Sequence, residues 1–271
     1  MKSKKRKSFL IIIILVLVAL VAAAVYFFQF NQYGYIMTIP YRSAFTEIAD
    51  HVYINKTNAR DHQEILDLIK QAEERDRSFW GDLRYLDETF FIICDDENLI
   101  RKIGEDHATV TISFPSEKHY ICISDEYLEL DILAHEITHA ELRARLTARA
   151  QGKVPTWFDE GLALQNDYRE RYSEEQWISQ TGNGKNVIAP EDLDTPAEFY
   201  AGEAEDRRFR YLNAKHELDR WMAAHGQQGL LELIEKLNNG EDFDMAYGSL
   251  TGFCDPCWKK HRITGTATGC F

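Results

Sequence analysis

The hydrophobic pattern opens with an unbroken block: Phe9–Phe28 is twenty residues with no charge and no strongly polar side chain. As a helix it spans about 30 Å, the thickness of a bilayer core. An aromatic-rich connector, Gln29–Tyr41, follows, and then the pattern turns periodic. Ile65, Leu66, Leu68, Ile69 and Ala72 fall at helical spacing within Asp61–Arg77. Thr89–Cys94 is an apolar run of strand length, and Thr109–Phe114 alternates apolar and small polar residues in period two. After a turn at Phe114–His119, Tyr120–Ser124 reads as a third strand. Asp125 is expected to cap the next helix, Leu130–Ala150, which lacks Gly and Pro. A further helix is expected after Pro155, and Thr181–Pro196, rich in Gly, Asn, Asp and Pro, reads as a loop.

A small sheet followed by helices is an α+β pattern, so the expectation is a small, mostly antiparallel sheet and then a helical half, preceded by one transmembrane helix. The boundaries expected are a basic tail at 1–8, the anchor at 9–28, a connector at 29–45, one domain at 46–250 and a cysteine-containing tail at 251–271.

Charge gives this division a direction. Five of the 31 Lys and Arg, and none of the 44 Asp and Glu, precede the apolar block. A cationic flank stays cytoplasmic, which sends the carboxyl-terminal bulk across the membrane. The alternative is a cleaved secretory signal ending at Ala22-Ala23-Ala24; Tyr26, Phe27, Phe28 and Phe30 carry the apolar run past that point and favour an uncleaved anchor. The remaining chain holds 26 positive against 44 negative residues, a net −18. A domain this acidic is not expected to bind nucleic acid. Among five cysteines, Cys94 and Cys122 lie on expected strands and offer a disulfide if those strands are neighbours. Cys254, Cys257, His261 and Cys270 in the tail offer either a second, structural zinc site or a disulfide with one thiol over.

The chemistry concentrates in His135-Glu136-Ile137-Thr138-His139. Two histidines four apart on a helix lie about 40° apart in azimuth and one turn apart, so both imidazoles address one point. Glu136, offset by about 100°, flanks that point without being a ligand. This is the layout of a zinc hydrolase site. Ile132, Leu133, Ile137 and Ala140 make the helix largely apolar, and burying the ionisable trio without a metal or partners would be costly. A metzincin would continue with Gly and His where Leu142 and Arg145 stand, which excludes that class. Glu160 follows His139 after 20 intervening residues, room for a turn near Gly152 and a second helix that brings a third ligand back.

With Ala134–Ala140 and Pro155-Thr156-Trp157-Phe158-Asp159-Glu160-Gly161-Leu162-Ala163 both present, the chain resembles the gluzincin metallopeptidases, in particular small bacterial peptidase MA-like domains. The second block looks like that family's W-x-x-E-G-[LIF]-A signature, whose Glu is the third zinc ligand. The resemblance covers about Ile48 to Leu250 and is loose beyond Gly161: a Tyr-containing helix (Phe209–Ala224), Gly226, Leu230–Leu237 and Asp242–Gly248. It implies one catalytic Zn2+ on His135, His139 and Glu160 in a cleft between sheet and helices, and Glu136 as general base. It also implies a peptide or protein substrate that adds as an antiparallel strand to Tyr120–Ser124 or Val110–Phe114. Tyr211 is the expected hydrogen-bond donor to the carbonyl oxygen, with Tyr200 and His216 as rivals. Asp159 either orients a ligand imidazole or is a solvated first-turn carboxylate. The family's aminopeptidases carry an upstream G-x-M-E-N segment that is missing here, so an endopeptidase is expected. Two other readings are a catalytically silent binding module of gluzincin shape and a zinc hydrolase of a non-peptide bond.

Overall fold

The computed structural model describes residues 2–85, 88–104, 109–114 and 118–250. In chain order the helices and strands are α1 (Lys2–Phe30), α2 (Gln32–Met37), β1 (Phe45–Ala49), β2 (Val52–Asn55), α3 (His62–Trp80), β3 (Thr89–Cys94), α4 (Glu97–Ile103), β4 (Thr109–Ser113), β5 (His119–Ser124) and α5 (Leu130–Arg145). There follow α6 (Ala148–Gln151), α7 (Thr156–Ala163), α8 (Glu174–Thr181), α9 (Pro196–Phe199), α10 (Ala204–Asn238) and α11 (Phe243–Leu250). The class is α+β, and the chain divides into two units.

The first unit comprises Met1–His62, Phe90–Val110 and Tyr120–Leu128. Within α1, Phe9–Phe30 is long and apolar enough to cross a membrane, and no part of its most apolar stretch is buried among the described residues. The strands form a five-stranded sheet in the order β1-β2-β3-β5-β4. The sheet is mixed: β1 and β2 make an antiparallel pair, and β2 runs parallel to β3, with Tyr53 opposite Ile92. The parallel step follows from connectivity, because α3 lies between β2 and β3 in the chain and supplies the crossover a parallel pair needs. Every residue of β3 and of β5 is buried, as expected for interior strands. Asn55 stitches the ends of β2 and β3, donating to Asp95 Oδ1 at 2.6 Å and accepting the Asp95 N–H at 2.9 Å. The strands of Cys94 and Cys122 are neighbours as supposed, yet both residues are thiols, not a disulfide, and burial pushes the Cys94 thiol up to about 12.

The connector folds into α2 and a 3-10 turn, Ile39–Tyr41, which bury Tyr35, Ile36 and Ile39. Two further expectations need correction. Asp125 opens a separate 3-10 turn, and α5 starts at Leu130 with Glu129 as an N-cap whose side chain makes no capping bond. The helix predicted to reach Ala150 stops at Arg145, where Leu146 turns extended (φ −100°, ψ 137°) and Thr147 caps α6. Cys254, Cys257, His261 and Cys270 lie outside the described residues.

The second unit comprises Gln63–Thr89, Thr111–His119 and the chain from Glu129 onward. Its core gathers Trp157, Phe158 and Leu162 of α7, Leu218, Trp221 and Leu230 of α10, and Phe243 and Tyr247 of α11. Helix α10 is interrupted at Gly226, whose φ of 59° and ψ of −166° let the chain redirect. Helices α7 and α10 touch backbone to backbone: a Cβ on Gly161 would lie 2.6 Å from the Ala214 carbonyl oxygen. The glycine beside Glu160 is therefore a packing requirement. The predicted loop after α8 contains a 3-10 turn, Pro190–Leu193, and then Asp194, which accepts from Thr156 N–H at 2.8 Å and from Trp157 Nε1 at 3.1 Å. That residue fastens the start of α7.

Candidate metal centre

Helix α5 presents His135 and His139 on one face, and α7 brings Glu160 against them. The two Nε2 atoms are 3.1 Å apart, and Glu160 Oε2 lies 3.4 Å from that of His135 and 3.6 Å from that of His139. A tetrahedral ion with bonds of about 2.1 Å keeps its ligand atoms about 3.4 Å apart, so the three separations match three edges of such a polyhedron. Glu160 Oε2 is buried and has no hydrogen-bond partner among the described residues. A carboxylate oxygen in that condition is costly unless a cation meets it. The group could hold a metal ion.

Each ligand but one is gripped from behind. Asp159 Oδ1 lies 2.8 Å from His139 Nδ1. A carboxylate only accepts, so Nδ1 carries the proton and the Nε2 lone pair faces the site. The other Asp159 oxygen is taken by Arg143, which also donates to the Gln151 carbonyl at 3.1 Å. Asp159 is thus an orienting group and not a solvated carboxylate. Tyr200 donates to Glu160 Oε1, fixing the carboxylate so that Oε2 points at the imidazoles. His135 differs. Its Nδ1 is buried without a hydrogen-bond partner among the described residues and stands 3.8 Å from Asp167 Oδ2, too far for a hydrogen bond, while Arg169 forks onto both Asp167 oxygens.

Glu136 sits beside the ligands, not among them. Its Oε2 accepts from the Thr111 hydroxyl at 2.6 Å, so β4 supplies the group that fixes this carboxylate. Thr138, inside the motif, is tied to Asp76 at 2.7 Å and to Asn166 at 2.8 Å in a buried network that holds the non-ligand face of α5.

The charge pattern favours a cation between the ring nitrogens. Burial alone would lower the His139 imidazole, but Asp159 and Glu160 outweigh it and raise it well above its ordinary value. Burial likewise pushes Glu160 up, and the His139 and His135 imidazoles reverse this and hold it far below the carboxylate range.

Tyr211, on α10, is packed edge-on against Phe199 at 5.0 Å and beside Tyr172 at 5.7 Å. Burial, then the charges of Glu160, Tyr172 and Glu136, raise its phenol, so it keeps its proton and remains a donor. Of its two rivals, Tyr200 is occupied with Glu160. His216 bonds Glu174 at 2.8 Å and stacks on Trp177 at 3.5 Å, so it is engaged away from the imidazole pair. Sequence reasoning missed Thr111, Arg143, Asp167 and Arg169. Only Arg143 carried a local signal, lying four residues after His139 on the same helix face.

No protein-family model matches this chain, and no curated protein does. The meaning of the centre rests on its own geometry.

Proposed function

We propose that this chain is a membrane-anchored zinc endopeptidase of the gluzincin type, with its amino terminus cytoplasmic and its catalytic domain on the far side. One observation carries the reading: a buried Glu160 oxygen, without a hydrogen-bond partner among the described residues, completes a triangle with two imidazole nitrogens, and a second, separately held carboxylate, Glu136, stands beside it. Two nitrogens and one oxygen suit zinc better than the all-oxygen preference of calcium or magnesium. Zinc would be held by His135, His139 and Glu160, and would supply Lewis acidity and lower the pKa of a bound water toward about 7.

The protein's own groups divide the remaining work. Glu136 takes a proton from the attacking water as its oxygen bonds to the scissile carbonyl carbon, and returns that proton to the departing amine as the C–N bond breaks. Thr111 holds the Glu136 carboxylate in one orientation. Asp159 and Tyr200 keep His139 and Glu160 aimed, and Tyr211 donates to the carbonyl oxygen as it becomes anionic. Strand β5 is enclosed by β3 and β4, which leaves β4, the strand of Thr111, to receive an extended peptide. Backbone pairing of that kind binds peptides with little regard to side chains.

The test is metal analysis and a quenched-peptide library on the full chain in detergent. One zinc with peptide cleavage is expected; Glu136→Gln keeps the zinc and loses cleavage, and His139→Ala loses the metal. Equal cleavage by wild type and Glu136→Gln removes the base assignment. Zinc without any cleavage redirects the reading to a binding module or a hydrolase of another bond, and absence of metal ends it.

A further inference from the structure

The segment just beyond the apolar span has a structure that a mere tether does not need. Helix α1 ends at Phe30, the chain bends at Asn31, and α2 folds back so closely that a Cβ on Gly34 would lie 2.4 Å from the Phe27 carbonyl oxygen. The last four carbonyls of a helix have no partner within it. Here the Phe27 carbonyl receives the Asn31 N–H at 3.1 Å, and the Phe28 carbonyl receives the Arg42 guanidinium. The same guanidinium donates to Gln29 Oε1 at 3.2 Å and to the Tyr35 carbonyl at 3.3 Å, and lies 3.5 Å above the Tyr35 ring. A cation at a helix C-terminus also meets the favourable end of the dipole. The span is therefore bolted to the folded segment with no slack between them.

The face left outward is apolar. Tyr33 and Met37, four apart on α2, are 50% and 41% exposed, and Tyr41 is 88% exposed, while Tyr35, Ile36 and Ile39 are buried beneath them. From Phe9 to Thr46 the only charged residue is Arg42, and the acidic character of the chain begins at Glu47. The span ends near Phe28–Phe30, and Arg42 touches Phe28, so Tyr41 stands within one side-chain length of the hydrocarbon boundary. Headgroups add only about 5–7 Å per leaflet beyond that boundary.

We infer that α2 and the following 3-10 turn form an interfacial foot, with Tyr33, Met37 and Tyr41 seated in the lipid headgroup layer and Arg42 locking the foot to the anchor. The occupant of this face is the bilayer itself. Continuity with the span fixes its height, aromatic rings are the residues that interfaces favour, and the lack of acidic side chains removes repulsion from lipid phosphates. The inference rests on the membrane-anchor part of the proposed function and not on its chemistry.

The experiment uses the full chain in phosphatidylcholine nanodiscs whose acyl chains are brominated near the headgroup or near the tail, with Tyr41→Trp and Met37→Trp as reporters. After subtraction of the wild-type signal, each reporter is expected to lose about half its emission to shallow bromines and less to deep ones, the profile of a ring at the headgroup–acyl boundary. Unchanged reporter emission in a chain that resists carbonate extraction from membranes would overturn the foot and leave the anchor standing. Extraction by carbonate would overturn both. Neither readout depends on peptide cleavage, so the peptidase reading fails or survives separately.

Discussion

Asp159→Asn isolates what the carboxylate behind His139 contributes. The wild-type group accepts the His139 Nδ1 proton at 2.8 Å with one oxygen and the Arg143 guanidinium with the other. An asparagine of the same shape cannot do both. With its carbonyl toward His139, its amide donors face the donors of Arg143. Flipped, it serves Arg143 and turns an N–H toward Nδ1, which forces the proton onto Nε2 and blocks the ligand lone pair. A hydrogen bond to a charged group is worth about 1.5–3 kcal/mol, and loss of such support behind a metal ligand costs about 10–100-fold in affinity. Those two ranges agree, since tenfold is about 1.4 kcal/mol. Equilibrium competition against a chromogenic zinc chelator therefore yields a dissociation constant raised 10–100-fold over wild type, by the same estimate. Asp167→Asn is the contrast: at 3.8 Å from His135 Nδ1 it makes no hydrogen bond to the ligand, and its loss strands Arg169 instead, so stability falls while zinc affinity stays near wild type. An Asp159→Asn protein with native circular dichroism and affinity within about threefold of wild type, well short of that range, refutes the orienting role.

Tyr200→Phe removes the donor to Glu160 Oε1 and is expected to weaken zinc binding. Tyr211→Phe leaves metal affinity intact and lowers turnover, and the reverse pattern would exchange the two assignments. Gly161→Ala drives a methyl into the Ala214 carbonyl at 2.6 Å, an overpacking cost of about 1–3 kcal/mol read as a lower melting temperature. His119, in contact with Ser113, is lowered to about 4 by burial and by Arg143. The unfolded chain takes up this proton from about pH 6.5 downward and the folded one only near 4. Stability is full above that range and declines as pH falls through it, by about 2 kcal/mol between pH 7.5 and 5. Urea unfolding at the two pH values should show a smaller loss in His119→Asn than in wild type.

The parts of this molecule that were legible are those whose geometry is decided within one element. The four-residue step from His135 to His139 converges two imidazoles on any helix, and the alternation in Thr109–Ser113 marks a strand whatever lies beside it. The short strands β1 and β2 were overlooked because four or five residues interrupted at Asp50-His51 carry too little period to register. The break at Leu146 was overlooked because a stretch without Gly or Pro gives no local reason to stop; the reason is tertiary, with Asn238 donating to the Arg145 carbonyl at 2.8 Å and accepting the Thr147 N–H at 2.7 Å.

The same division runs through the site. The candidate site residues announce themselves by spacing, but what aims them arrives from elsewhere in the chain: Thr111 onto Glu136 from 25 residues upstream, Tyr200 onto Glu160 from 40 downstream. Neither threonine nor tyrosine has a pattern that distinguishes such a role from a surface hydroxyl or a packed ring. Asp159 is the intermediate case. Its place beside Glu160 suggested two roles, and only its burial between His139 and Arg143 selects one. Ligand identity is thus a property of one helix and its neighbour, whereas ligand orientation is a property of the whole second unit. Substitutions at Thr111 or Tyr200 should therefore alter the centre while leaving the fold of α5 and α7 intact.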